Sequence, residues 1–200
     1  MVKNAIKFLI TPCGLLVLAI IMLLMGHVVF KKRFLNCKAI IRKHFECFKK
    51  KDGKYSFTSI FLYFGVPCII ALALVQIRPL DETVINILTI IISILTSMLF
   101  TMLTLILDMR KRIKQDKTYN ANDASISTKL LKETYYSVMF EILVSIVILF
   151  MCFIELFSQQ FANISSCMIY YLTFVLLMNL FMVLKRIFNV IDNDINVQDK

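Results

Sequence analysis

The chain reads as an all-α polytopic membrane protein, a helical transmembrane bundle joined by basic helical cytoplasmic segments. Three observations carry this reading. Of 200 residues, 59% are hydrophobic and only 18% charged, well outside the balance of soluble domains. The apolar residues are gathered into long runs, giving a mean hydropathy of +0.78. The charges, 23 Lys and Arg against 13 Asp and Glu, are clumped between those runs. Such a composition excludes a disordered chain, a disulfide-stapled secreted domain and a soluble enzyme. A net charge of +10 on a soluble protein would suggest nucleic acid. Here its placement between apolar runs marks topology, and no direct sequence-specific nucleic-acid binding is expected.

Five candidate spans follow in order. The first is 8–30, without a charge. As a helix it rises about 34 Å, enough to cross the hydrocarbon core. It is too long for a signal peptide and has no small-residue cleavage site behind it. The second is 57–77, holding Gly65 and Pro67, a pair that a membrane helix tolerates at the expense of a kink. The others are 84–107, 136–157 and 164–184. Backbone groups in lipid must pair internally, so each run is expected to be helical. Nothing alternates as a membrane barrel would. Four spans, with one run re-entrant or interfacial, is the alternative count.

The loops set orientation. Segment 31–56 carries Lys31, Lys32, Arg33, Lys38, Arg42, Lys43, Lys49, Lys50, Lys51 and Lys54. Segment 108–135 carries Arg110, Lys111, Arg112, Lys114, Lys117, Lys129 and Lys132. Loop 78–83 has one basic residue, Arg78, and loop 158–163 has no charge. The rich segments, together with the C-terminal segment 185–200, are therefore assigned to the cytoplasm. The cysteines of the apolar runs act as small hydrophobes, and Cys37 and Cys47 fall on the reducing side, so no disulfide framework is expected.

Within 31–56, helical periodicity aligns Phe34, Cys37, Ile41, Phe45 and Phe48 opposite Lys32, Lys43 and Lys50. That is a basic amphipathic helix, suited to a headgroup layer or a partner surface. The flanks 105–117 and 128–136 are expected to extend the third and fourth spans beyond the membrane.

Few residues offer chemistry. Glu141 and Glu155 are 14 positions apart on one helical face, and Ser137 and Ser145 flank Glu141 at one turn on either side. Intramembrane carboxylates are costly and often functional, but interfacial placement or an interhelical hydrogen bond explains them equally. The third span carries Thr89, Ser93, Thr96, Ser97, Thr101 and Thr104, read as a helix-packing face in preference to a pore lining. Cys37, His44 and Cys47 lack zinc spacing and a fourth ligand, and Asp192–Asn196 lacks the glycine and final glutamate of a calcium loop. Asn163-Ile-Ser165 fits a glycosylation sequon, meaningful only in a secretory pathway. No nucleophile, phosphate or metalloprotease motif occurs, so neither catalytic activity, nor a metal, nor a cofactor is expected.

Taken whole, in its size, its clustered spans and segments such as Arg78-Pro-Leu-Asp-Glu-Thr-Val84 and Leu130-Leu-Lys-Glu-Thr-Tyr-Tyr136, the chain resembles the membrane subunits of the Kiwa antiphage defence systems. The resemblance implies an inner-membrane sensor that forms a homo-oligomer and holds a cytosolic DNA-binding effector, the KwaB subunit of those systems. It transfers no site residue. On charge alone, the partner surface is expected at Lys31, Lys32, Arg33, Arg42, Lys43, Lys49, Lys50, Lys51, Arg110, Lys111, Arg112 and Lys114, facing an acidic patch. A small channel or transporter using Glu141, and a membrane-damaging toxin, are the other two classes the residues admit.

Overall fold

The computed structural model describes residues 37–48, 56–115, 121–157 and 163–198. The candidate span 8–30, Phe34, and the basic residues Lys31, Lys32, Arg33, Lys49, Lys50, Lys51, Lys54 and Lys117 lie outside the described residues, as does the side chain of Lys114. The chain divides into two compact units, Met1–Ala39 and Ile40–Lys200. Of the first, only its last three residues, leading into a helix, are described. Among the described residues every element is helical: α1 (Lys38–Glu46), α2 (Phe57–Ile77), α3 (Glu82–Gln115), α4 (Ala121–Glu155) and α5 (Asn163–Gln198). Helices α2 to α5 are each long and apolar enough to cross a membrane.

Local chemistry sets the breaks. α2 contains one π-helical turn, Phe61–Gly65, just ahead of Pro67. Proline brings no N–H and its ring crowds the carbonyl four residues back, here that of Tyr63. Widening the turn relieves that crowding. Gly65 matters for a different reason: a Cβ there would lie 2.9 Å from the Phe61 ring, which folds across this position. α2 ends because Pro79 forces the residue before it out of the helical region, and Arg78 is extended at φ −148° and ψ 103°. Asp81 then opens α3, its Oδ1 accepting the Val84 N–H at 2.7 Å as an N-cap. Leu80 and Ile85, on either side of the cap, are both buried in the core as a hydrophobic staple. Arg78 donates to Asp81 at 2.6 Å and holds its carboxyl below the usual carboxylate range, helped by the Val84 N–H.

The bundle is organised by sevens. Along α3 the buried residues are Ile85, Ile92, Leu99, Ile106 and Ile113. Along α4 two such series run side by side: Leu131, Val138, Ser145 and Cys152, and Thr134, Glu141, Ile148 and Glu155. Along α5 the series is Ile169, Leu176, Val183 and Val190. A strict seven-residue repeat keeps one seam on a partner helix over many turns and is the pattern of left-handed, small-angle packing. α3 packs on α4, α4 on α5, and α5 on α2. In the most apolar windows of α4 and α5, 50% and 44% of residues are buried, against 11% and 22% in α2 and α3. So α4 and α5 form the inner pair, and α2 and α3 flank them.

Each predicted apolar run except the first sits on one of these helices, and α3, α4 and α5 continue well past it. At 1.5 Å per residue a helix of 34 residues is about 51 Å long, some 20 Å more than the hydrocarbon core. One expectation is corrected in part: Thr89 and Thr96 are half-buried, but the rest of the hydroxyl stripe is not. Ser93, Ser97, Thr101 and Thr104 do not pack on a neighbouring described helix: they are exposed and return their hydroxyls to carbonyls of α3 itself, at 2.7–3.2 Å. The seven-residue seam occupies the other side of the helix.

Leu131, 1% exposed, joins α4 to α3 and α5. Leu131→Ala should lower detergent-solubilised stability by about 2–5 kcal/mol, and Ile90→Ala, on the outer face of α3, by less than about 0.5 kcal/mol. Thermal unfolding in one detergent measures both.

Candidate functional site

The basic termini of the helices meet at one end of the bundle. There Ile106 and Ile113 of α3, Leu131 and Val138 of α4, and Val183 and Val190 of α5 share one core cluster. α1 is docked beside this cluster: Cys47 reaches Glu133, while Ile40 packs on the neighbouring cluster that holds Phe140. Its buried face differs from the expected stripe: Ile41 is 38% exposed, whereas His44 is fully buried and Phe48 nearly so. The helix is turned by about one residue so that Ile40, His44, Cys47 and Phe48 face inward. The apolar pattern alone favours Ile41. The observed face is selected by rings.

His44 lies flat on Phe140 of α4, with ring centroids 3.9 Å apart and planes within 6°. Phe48 meets its edge at 5.3 Å. Phe45 stacks on Phe64 at 5.2 Å, and Phe48 lies 5.7 Å from Tyr63. Tyr63 and Phe64 belong to the π-helical turn of α2, so that turn presents two rings to α1. The segment following α1 is closed at its ends, since the Ser56 N–H donates to the Phe48 carbonyl at 3.0 Å.

Polar groups surround the rings. Arg186 of α5 pairs with Glu133 of α4 at 3.4 Å, and the Cys47 thiol points to the Glu133 carbonyl at 4.0 Å. Neither nitrogen of His44 has a hydrogen-bond partner among the described residues. Burial, reinforced by the nearby Arg186 charge and only partly opposed by the Asn179 amide, pushes the His44 pKa down to about 3. The imidazole is therefore neutral at physiological pH. Burial likewise raises the Cys47 thiol, against the pull of Arg186, which makes it a packing group and not a nucleophile.

The sequence-derived residues fall into two groups. Arg42 and Lys43 are exposed on the outer face of α1 and reach Glu46 at 3.2 and 2.7 Å. Arg110, Lys111 and Arg112 are exposed at the end of α3, with Lys111 on Asp108 at 3.4 Å. Docking of α1 thus brings the first of these predicted clusters toward the end that carries the second. The intramembrane set is interior: Glu141, Ser137 and Ser145 are fully buried and Glu155 is 7% exposed. The serine hydroxyls donate to carbonyls of their own helix, Ser137 to Glu133 at 3.1 Å and Ser145 to Ile142 at 2.9 Å. Neither carboxyl oxygen of Glu141 has a hydrogen-bond partner among the described residues, so the interhelical hydrogen bond is not found among them. No group of three metal-ligating side chains occurs among the described residues.

Two outcomes follow. Unfolding returns the His44 pKa from about 3 to about 6.5. The unfolded state then binds the extra proton below pH 6.5, and α1 docking should weaken by up to about 1.4 kcal/mol per pH unit as pH falls from there. The chain contains no Trp, so Phe45→Trp supplies a single fluorescent reporter. Its emission should shift to the red between pH 6.5 and 5, and His44→Phe should abolish that shift. Glu141→Met keeps the chain length of the side chain and removes the unpartnered carboxyl. It should raise the unfolding midpoint by about 2–4 °C, whereas a fall would show that the carboxyl has a partner.

No family model matches the chain, and neither does any curated protein or solved structure compared with it.

Proposed function

We propose that this chain is an inner-membrane sensor and scaffold of a bacterial antiphage defence system of the Kiwa type. In this reading it forms a homo-oligomer and holds a cytosolic DNA-binding effector at its basic end, with the C-terminus in the cytoplasm. The observation that carries it is the docking of α1. It brings the basic residues of α1 toward the end of the bundle that carries those of α3 and α4, an arrangement suited to an acidic protein partner. The only connection described in full at the opposite end, Arg78–Asp81, is too short to hold a ligand-binding domain. A sensor of this build responds to the bilayer or to contacts at its surface, and it transmits that response through the end of the bundle where α1 is docked.

The channel or transporter reading draws on one observation, the buried carboxyl of Glu141. That side chain is enclosed by the bundle, which favours a structural cost over a hydrated path.

A crosslinked pulldown of the tagged protein at native expression, read by mass spectrometry, tests the proposal. It should recover one stoichiometric cytosolic partner. Neutralising Lys49, Lys50, Lys51, Arg110, Lys111 and Arg112 together should abolish that recovery and the protection it confers, in variants whose topology is confirmed unchanged. Recovery of the chain alone, or full binding by the neutralised variant, contradicts it.

A further inference from the structure

A cavity of about 150 Å³ opens between the ends of α3 and α4, lined by Ile106, Leu107 and Arg110 from the one and Leu131, Lys132 and Tyr135 from the other, with Tyr136 at its rim. At roughly 30 Å³ per water it holds several waters or one small polar headgroup. Its lining is divided by chemistry. Ile106 and Leu131 are buried apolar residues at its floor. Leu107, two cations and two phenols supply the rest. Neither cation is neutralised from within: Arg110 and Lys132 make no ion pair among the described residues, because Asp108 is taken by Lys111 and Glu133 by Arg186. Soluble cavities with two free cations select small anions. This one is set where the apolar part of α3 gives way to charge and where tyrosines favour the headgroup layer.

The faces leading from the cavity toward the middle of the bundle carry large apolar residues, and the Thr104 and Ser97 hydroxyls beside them on α3 are turned back to carbonyls of their own helix. Seven residues back from Leu107 on α3 is Phe100, 50% exposed, and fourteen residues on from Lys132 on α4 is Ile146, also 50% exposed. Between Lys132 and Ile146, at the same spacing, lies the half-buried Met139. A ligand held by its anion at Arg110 and Lys132 would have the apolar side chains of Phe100, Met139 and Ile146 along which to lay a chain. A free phosphate has no use for that surface. Basic recesses between membrane helices, backed by apolar faces, suit anionic lipid headgroups.

We propose that this recess is a binding site for the phosphate headgroup of an anionic phospholipid, with Arg110 and Lys132 contacting the phosphate, Tyr135 and Tyr136 donating to its oxygens, and the acyl chains lying along Phe100, Met139 and Ile146. The proposal stands on the membrane reading and is independent of the defence partner, so it is tested on the isolated full-length protein.

The protein in neutral detergent is titrated with short-chain phosphatidylglycerol, phosphatidylcholine and inorganic phosphate, and binding is read by native mass spectrometry and by the unfolding midpoint. Phosphatidylglycerol should bind and stabilise, and phosphatidylcholine should not. Arg110→Gln with Lys132→Gln should weaken phosphatidylglycerol binding about 30-fold. Lys129→Gln with Lys185→Gln removes the same charge from outside the recess and should change it less than about threefold. Equal losses in the two double variants would make the attraction one of net charge and overturn the site. Inorganic phosphate binding through Arg110 and Lys132 with no advantage for phosphatidylglycerol would assign a soluble anion instead, and would overturn the lipid. A fall in the midpoint of the Arg110/Lys132 variant without lipid would report folding, and the mass spectra then decide, since they count lipid only on intact protein.

Discussion

The seven-residue seams of α3, α4 and α5 are what the rest of the molecule depends on. In a bilayer the lipid is as apolar as a leucine side chain, so helices gain little by burying apolar surface against one another. They associate by close packing. A residue such as Val138, fully buried, contributes through its fit to α3 and α5 and not through escape from water. The strict repeat keeps that fit over helices of 34–36 residues, which carries the bundle intact beyond the membrane. Short of that projecting end, α1 docks on Phe140 of α4 and on Tyr63 and Phe64 of α2.

Docking of α1 is then a matter of rings and one neutral imidazole. His44 is accepted into an aromatic site because its ring face stacks on Phe140 and because it carries no charge there. A cation in the same position would face the Arg186 guanidinium across a dry contact. The π-helical turn of α2 contributes indirectly: the irregularity required by Pro67 also delivers Tyr63 and Phe64 to the same cluster. Three distant stretches of chain are tied together by a feature each needs for its own reasons. The same seam holds several polar residues, and Glu141 is the sharpest conflict among them. Glu141 takes a position where the pattern calls for an apolar residue, and a bundle that retains such a group gives up stability to do so.

Much of this was legible in the residues. The runs 57–77, 84–107, 136–157 and 164–184 announce helices because nothing else satisfies backbone groups in lipid, and their extensions past the apolar limits follow from periodic flanks. The orientation of α1 was not legible. Hydrophobic periodicity ranks Ile41 above His44, and only the rings of Phe140, Phe64 and Tyr63, far away in sequence, reverse that order. The hydroxyl stripe of α3 misled in part, for a related reason. Small residues suit helix packing in general, but here the spacing of Ile85, Ile92, Leu99, Ile106 and Ile113 had already committed the opposite side of the helix, and that repeat was present in the sequence to be counted. Glu141 stood out by charge, yet whether it faced lipid, water or core depended on which helices flank α4.

The central claim is that α1 is seated on α4, at Glu133 and Phe140, and on the π-helical turn of α2. Its most direct test is a crosslink between the native Cys47 and a cysteine placed at Glu133, whose carbonyl lies 4.0 Å from the Cys47 sulfur, with the other five cysteines replaced. Mild oxidation of the full-length protein in membranes should join residues 47 and 133 within one chain, and peptide mass spectrometry should find that link as the dominant product. Free thiols at both positions, or links formed only between separate chains, would contradict the seating of α1.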